Sequence, residues 1–126
     1  MFTITTLINL VISITLINVW IFRFNKKTKY RGGEASSMKE EFSIYGLPSW
    51  FMYFVGTLKI IVAFLLILGI WLSNINIYSY FVLSVLMIGA ILMHLKVKDS
   101  IIKSIPAICI LTLLIILINN SQFFSI

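Results

Sequence analysis

The chain has 126 residues, of which 60% are apolar and 11% are charged, and its formal net charge is +6. A soluble domain is typically about 45–50% apolar and about 25% charged, so this composition leaves too few polar residues to cover a water-exposed surface. Disorder is excluded for the opposite reason, because the apolar content is far too high. The composition indicates an integral membrane protein, and its one cysteine, Cys109, excludes internal disulfides and thiolate metal sites.

Stretches without charged side chains predict where the chain crosses the membrane. Four stretches are free of Lys, Arg, Asp and Glu: residues 1–22, 42–58, 60–95 and 104–126. A bilayer core needs about 20 apolar residues per helix, and the polar run Ser73–Asn76 divides the longest stretch in two. Because backbone groups in lipid have no water partners, each span must be helical. We predict an all-α, single-domain membrane four-helix bundle over residues 1–126, with helices at about 3–22, 50–73, 77–95 and 100–119.

The distribution of Lys and Arg predicts the orientation of the bundle. Basic residues follow the first and third helices, whereas the N-terminus, the Ser73–Asn76 turn and the C-terminal tail have none. Since basic loops face the cytoplasm, we expect an inner (cytoplasmic) membrane protein with both termini outside the cytoplasm. The positive charge then meets anionic lipid headgroups rather than nucleic acid. The first helix has no basic segment before it and no small-residue cleavage site after it, so we expect it to be retained.

A capping box in the first basic loop predicts a short helix. Ser37 stands three residues before Glu40, so Ser37 is expected to be the N-cap residue and the Glu40 side chain is expected to reach back to the Ser37 amide. Met38, Phe42 and Tyr45 then fall on one helical face. We predict an amphipathic helix at about 38–45 that lies at the cytoplasmic membrane surface, under the bundle.

Several single residues carry further local predictions. The sequence Tyr-Arg-Gly-Gly at 30–33 favours a tight turn over a phosphate-binding loop, which two glycines alone support weakly. Asp99 is expected to cap the fourth helix, and Pro106 is expected to kink it. Asn9 and Asn18 of the first helix are expected to hydrogen-bond across helices, at about 1 kcal/mol each.

Lys59 and His94 are two basic side chains inside the predicted spans that could carry chemistry. A central Lys costs about 2.5–3.5 kcal/mol on insertion scales. Lys59 either snorkels toward the cytoplasmic surface or faces a neighbouring helix, which Gly56 and Ala63 on the same face allow to approach closely. His94 lies one turn from the inner end of the third helix and either bonds a carbonyl or headgroup, or carries protons or holds a ligand. One His without a second His or paired cysteines gives too few ligands for a metal.

We predict a polar binding site at the cytoplasmic end of the bundle, with no catalytic residue and no metal ligand. Its members are Lys59, His94, Glu40, Glu41, Arg31 and Arg23. The two glutamates supply negative partners for the cations, so the group could form one ion-pair cluster that closes this end and fixes the loop.

Six short motifs follow one another along the chain. They are Tyr30-Arg31-Gly32-Gly33, Lys39-Glu40-Glu41-Phe42, Tyr45-Gly46-Leu47-Pro48, Gly56-x-x-Lys59, Gly89-Ala90-x-x-x-His94-x-Lys96-Val97-x-Asp99 and Pro106. Together they resemble the DoxX-like branch of the DoxX family over residues 20–119, approximately. The resemblance implies a small four-helix bacterial inner-membrane protein, with relatives that include a subunit of a thiosulfate:quinone oxidoreductase and a maturation protein for methylamine dehydrogenase. Many relatives carry an acidic residue where Lys59 stands, so an acid–base role does not transfer to that position.

Three functions remain as alternatives. The first is a non-enzymatic membrane module that binds a lipid or quinone-like amphiphile, or supports a membrane complex, through the predicted polar site. The second is an accessory subunit of a quinone-linked oxidoreductase, with His94 carrying protons; the third is a lipid-packing protein without a pocket. No cofactor is expected apart from a quinone or lipid as ligand. The expected partners are membrane lipids, a membrane or peripheral protein and a second copy of the chain, but not nucleic acid.

Overall fold

The computed structural model describes residues 4–120, and within this range the chain is helical without a strand. The helices are α1 (Ile4–Ile17), α2 (Met38–Ile44), α3 (Ser49–Leu68), α4 (Asn76–Lys96) and α5 (Ile105–Asn119). A π-helical turn, Asn18–Phe22, extends α1, and 3₁₀ turns at Ser73–Ile75 and Ile101–Ser104 lead into α4 and α5. Four helical segments, which contain α1, α3, α4 and α5, are long and apolar enough to cross a membrane. The predicted all-α membrane fold is confirmed.

The ends of the helices differ from the prediction in two places. α3 ends at Leu68 instead of 73, because the next residues turn back through hydrogen bonds from the Ile70 and Trp71 amides to Ile67 and Leu68. Pro106 lies at the start of α5, where its missing N–H has no helical partner to lose. The predicted kink inside the fourth helix is therefore wrong. Residue 3, where the first helix was predicted to begin, lies outside the described residues.

The long helices pack in sequence, α1 against α3, α3 against α4 and α4 against α5. Each of the four helices contributes to the common core a side chain whose solvent-exposed fraction is at most 1%: Ile12, Leu66, Leu83 and Leu114. Lipid is as apolar as these side chains, so close van der Waals packing holds the helices together in a membrane. The C-termini of α1 and α4 and the N-termini of α3 and α5 meet at one end of the bundle. We call it the charged end, because the basic segments lie there.

Asn9 ties three helices together at the opposite end. Its carboxamide nitrogen donates to the Leu66 carbonyl and to Asn76 Oδ1, each at 3.2 Å. Its oxygen accepts a hydrogen bond of 2.7 Å from the Tyr80 hydroxyl. The predicted interhelical role of Asn9 is confirmed, whereas Asn18 makes no cross-helix hydrogen bond within the described residues.

Candidate functional site

Arg31 fastens the segment between α1 and α2 to the charged end. Its side chain is only 4% exposed, and its Nη1 lies 3.1 Å from Glu41 Oε1. Nε and Nη2 donate to the Lys26 carbonyl at 3.1 Å, and Nη2 also donates to the Arg23 carbonyl. Every nitrogen of the guanidinium therefore has an acceptor, which satisfies a charge that would otherwise be costly to bury.

α2 turns Glu41 toward this arginine. The Ser37 hydroxyl accepts a hydrogen bond of 3.2 Å from the Glu40 amide, so the predicted helix and its N-cap are confirmed. The Glu40 carboxylate accepts from the Ser36 hydroxyl instead of the Ser37 amide, so the second half of the predicted capping box is wrong. Glu41 is then buried on the inner face of α2. Its Oε2 accepts hydrogen bonds from the Gly32 amide at 2.8 Å and from the Tyr45 hydroxyl, one turn further on, at 2.6 Å. Both carboxylate oxygens are thus engaged.

Asp99 is folded back onto α4 by the turn that ends this helix. The Asp99 amide donates to the His94 carbonyl at 3.0 Å, and Lys98 between them has a left-handed backbone, with φ at 59°. The Asp99 carboxylate consequently reaches His94 Nδ1 at 2.8 Å. Its other oxygen accepts from the Gly33 amide at 3.0 Å and lies 3.7 Å from Lys103 Nζ.

Tyr45 lies between the Arg31–Glu41 pair and the His94–Asp99 pair. Its hydroxyl lies 3.4 Å from His94 Nδ1, and the two rings meet edge to face with centroids 5.8 Å apart. Tyr45 donates its one hydroxyl proton in the shorter hydrogen bond, to Glu41. The ionised Asp99 carboxylate can only accept, so His94 Nδ1 is the donor in the bond between them. We call the resulting set the buried charged network. It comprises Arg31, Glu41, Tyr45, His94, Asp99 and Lys103.

Two groups of the buried charged network have shifted pKa values. Burial, followed by the charge and hydrogen bond of Glu41, raises the pKa of Tyr45 above its ordinary 10.0. Burial acts to raise the pKa of Asp99 as well. Hydrogen bonds from His94 and Gly33 and the positive charge of Lys103 outweigh it, however, and the pKa lies below its ordinary value. Tyr45 therefore stays protonated and Asp99 stays ionised near neutral pH.

Lys59 forms no hydrogen bond or ion pair with this network and lies at the seam between α1 and α3. The seam is close: a Cβ at Gly56 would lie 2.7 Å from the Trp20 ring, and the Ser13 hydroxyl donates to the Ala63 carbonyl at 2.7 Å. The predicted close approach at Gly56 and Ala63 is confirmed. The half-buried Lys59 places its Nζ 5.2 Å from the centroid of the Trp20 ring. No carboxylate of the described chain forms an ion pair with it.

A family model described as the DoxX-like family matches residues 29–117. This range includes the whole buried charged network and Lys59. The chain belongs to the DoxX-like family. Together with the four candidate spans, this makes it a multi-pass membrane protein. Comparisons with curated proteins and with solved structures give no match.

The six site residues predicted for this DoxX-like protein occupy three different environments. Arg31, Glu41 and His94 belong to the buried charged network. Lys59 lies over Trp20 instead. Glu40 and Arg23 have exposed side chains: the Glu40 carboxylate accepts from Ser36, and Arg23 offers its backbone carbonyl to Arg31.

Asp99 is the network member that sequence reasoning assigned differently. It caps no amide at the start of the fourth helix, since its carboxylate is taken by His94, Gly33 and Lys103, so the capping prediction is wrong. Glu41 and Tyr45 are four residues apart, a spacing that makes side chains neighbours on a helix. This spacing could have predicted Tyr45 as a hydrogen-bond partner of Glu41 and so as a member of the site.

The raised pKa of Tyr45 predicts a loss of stability in alkaline solution. The folded protein keeps the hydroxyl proton while the unfolded chain releases it, so the contribution is complete below pH 10.0 and lost above it. The free energy of unfolding should fall by up to about 1.4 kcal/mol per pH unit from this group. Unfolding in detergent between about pH 8 and about pH 11 measures it. Lysines titrate in the same range, so the control is Tyr45→Phe, whose curve should be flatter above pH 10; equal slopes would contradict the prediction.

Proposed function

We propose that this DoxX-like protein is a non-enzymatic membrane module that binds the polar headgroup of a lipid or quinone-like amphiphile through Lys59. One observation carries the proposal. The ammonium group lies within a membrane-spanning helix, 5.2 Å from the ring centroid of Trp20, and has no hydrogen-bond acceptor among the described residues. A Lys in a span usually pairs with another group or faces a polar cavity. A phosphate or a quinone carbonyl would supply the acceptor.

The position of Lys59 in α3 supports this ligand class. Lys59 lies ten residues after Ser49, the first residue of the helix, which is about 15 Å along the axis at 1.5 Å per residue. Helical side chains tilt toward the N-terminus of their helix, so the ammonium group is directed to the charged end. The Trp20 face stabilises the cation by about 0.5–2 kcal/mol but does not neutralise it. An amphiphile with its headgroup at the charged end could therefore meet Lys59 from the membrane.

The test is the substitution Lys59→Met, which keeps the length of the side chain and removes the charge. Amphiphiles that co-purify in mild detergent are identified and counted by native mass spectrometry. We expect occupancy to fall about tenfold, as for the loss of one charge-assisted hydrogen bond. The melting temperature should stay the same or rise, because an unpaired cation leaves the span. The control is Lys26→Met in the exposed connecting segment. Equal occupancy in both variants would leave Lys59 as a snorkelling residue without a ligand.

We further propose that the charged end faces the cytoplasm and that the protein resides in the inner membrane. Support comes from the basic segments at the charged end and from their absence at the Ser73–Ile75 turn. In a Cys109→Ser background, single cysteines are placed at the exposed positions Lys27 and Asn74. A membrane-impermeant maleimide added to intact cells should label Asn74→Cys and not Lys27→Cys. Labelling of both, or of Lys27→Cys alone, would contradict the orientation.

A second candidate function is supported by the geometry of His94. A carboxylate bonded to one imidazole nitrogen, here Asp99 to Nδ1 at 2.8 Å, fixes the ring and leaves the other nitrogen to exchange a proton. Such a group suits an accessory subunit of a quinone-linked oxidoreductase. This function requires that the purified protein change the redox state of a quinone in a pH-dependent way and that His94→Ala abolish the change. Absence of either effect would contradict this second function.

A further inference from the structure

A cavity of about 370 Å³ opens at the charged end, between α2 and the first turns of α3. Its lining includes the apolar side chains of Phe42 and Leu47. Its rim carries one cation and one anion, Lys39 and Glu40, and the hydroxyl group of Ser43. The cavity therefore combines apolar lining side chains with a rim of no net charge.

We propose that this cavity binds the headgroup of a zwitterionic phospholipid with a primary ammonium group, namely phosphatidylethanolamine. Lys39 would pair with the phosphate, and Glu40 would accept hydrogen bonds from the ammonium group. This site lies outside the function proposed for Lys59 and does not depend on it, since Lys59 does not line the cavity.

Both charged groups are available for a ligand. Lys39 is exposed and forms no ion pair within the described residues. The Glu40 carboxylate accepts a hydrogen bond from the Ser36 hydroxyl, and an ionised carboxylate has about four acceptor sites, so most of its capacity is open. The helix cap uses the backbone amide of Glu40 and leaves its side chain free.

The paired charges select among the common headgroups. A net anionic headgroup, such as phosphatidylglycerol, would gain from Lys39 but would have no cation for Glu40. Phosphatidylcholine carries a cation, but its quaternary nitrogen has no N–H to donate to the carboxylate. Phosphatidylethanolamine pairs with both Lys39 and Glu40. It is therefore favoured, because a charge that loses water on binding without gaining a partner is costly.

The residues beside the cavity are typical of the depth at which a phospholipid presents its headgroup. It borders Ser49, the first residue of a membrane-spanning helix. The next turn carries Trp50 and Tyr53, with exposed fractions of 69% and 59%, and aromatic side chains of this kind mark the membrane interface. Phe54, one turn after Trp50, is exposed as well, so α3 presents apolar surface for acyl chains beyond the interface.

The proposal is tested by binding of phosphatidylethanolamine, phosphatidylcholine and phosphatidylglycerol to the full chain, measured by native mass spectrometry. We expect the unmodified protein to prefer phosphatidylethanolamine about tenfold over the other two, as for one charge-assisted hydrogen bond. Glu40→Gln should abolish the preference over phosphatidylcholine. Lys39→Gln should weaken the binding of all three phospholipids by about tenfold, since each of them contains the phosphate. Soluble phosphoethanolamine in excess should compete with the lipid.

Matched controls separate this site from general surface charge. Lys27→Gln and Glu34→Gln remove exposed charges outside the cavity and should change nothing. Lys59→Met should also leave the preference intact, so this proposal and the function proposed for Lys59 can fail separately. The proposal is overturned if the unmodified protein shows no preference, if Glu40→Gln retains the preference, if the control variants reduce it equally, or if phosphoethanolamine does not compete.

Discussion

Replacing Glu41 with Ala is expected to destabilise the folded protein by about 3–5 kcal/mol, the usual cost of breaking a buried ion pair by removing one partner. The substitution would leave the guanidinium group of Arg31, only 4% exposed, without its counter-charge. It would also remove the acceptor for the Gly32 amide and for the Tyr45 hydroxyl. Unfolding in detergent by heat or denaturant measures the loss.

Two further variants separate the lost ion pair from other effects. Glu40→Ala changes the neighbouring, exposed glutamate and should alter stability by less than about 0.5 kcal/mol. The double substitution of Arg31→Met with Glu41→Leu leaves no unpaired charge, and it should be more stable than Glu41→Ala alone. The explanation fails if Glu41→Ala is no more destabilising than Glu40→Ala, or if the double variant is less stable than Glu41→Ala.

The buried charged network and the two proposed binding sites share the short helix α2. Glu41 and Tyr45 face inward: Glu41 accepts from the Gly32 amide of the connecting segment, and the Tyr45 ring packs against His94 of α4. Lys39 and Glu40, on its other face, line the cavity. Phe42 packs in the cluster that contains Trp20, over which Lys59 lies. The network thus acts as a structural support, because it fixes the helix that borders both sites.

Features that depend on local sequence could be predicted. Apolar length set the number of spans, the Ser37 and Glu40 pair identified the start of α2, and seven-residue spacing placed Gly56 and Ala63 on one face. Each of these follows from helix geometry or from contacts within a few residues. No knowledge of how the helices pack was needed.

Features that depend on competition between distant partners could not be predicted. Asp99 stands where a helix-capping residue belongs, but the Gly33 amide, 66 residues away in sequence, takes one of its oxygens. His94, five residues before it, takes the other because a left-handed Lys98 turns the chain back. The sequence shows that Asp99 can cap a helix. Only the packed structure shows which hydrogen-bond donors its carboxylate binds instead.

Replacing Gly32 with Ala is expected to destabilise the protein by about 1–3 kcal/mol, the typical cost of adding a methyl group to a packed site. A Cβ at this position would lie 2.7 Å from Cζ of Tyr45. The tyrosine cannot move aside freely, because its hydroxyl is bonded to Glu41 and its ring packs against His94. The new methyl group must therefore displace the connecting segment or break part of the buried charged network.

Gly89→Ala is the matched control, because a Cβ there would have nothing within 4 Å. It lies in the interior of α4, where Ala favours the helix over Gly by about 0.8–1 kcal/mol, so this variant should be slightly more stable than the unmodified protein. Melting in detergent compares the two variants. Trypsin, which cleaves after Lys26 and Lys27, should cut Gly32→Ala faster, since the displaced segment is less firmly held. If the two glycine variants have the same melting temperature and are cut by trypsin at the same rate, the close contact between Gly32 and Tyr45 does not stabilise the charged end.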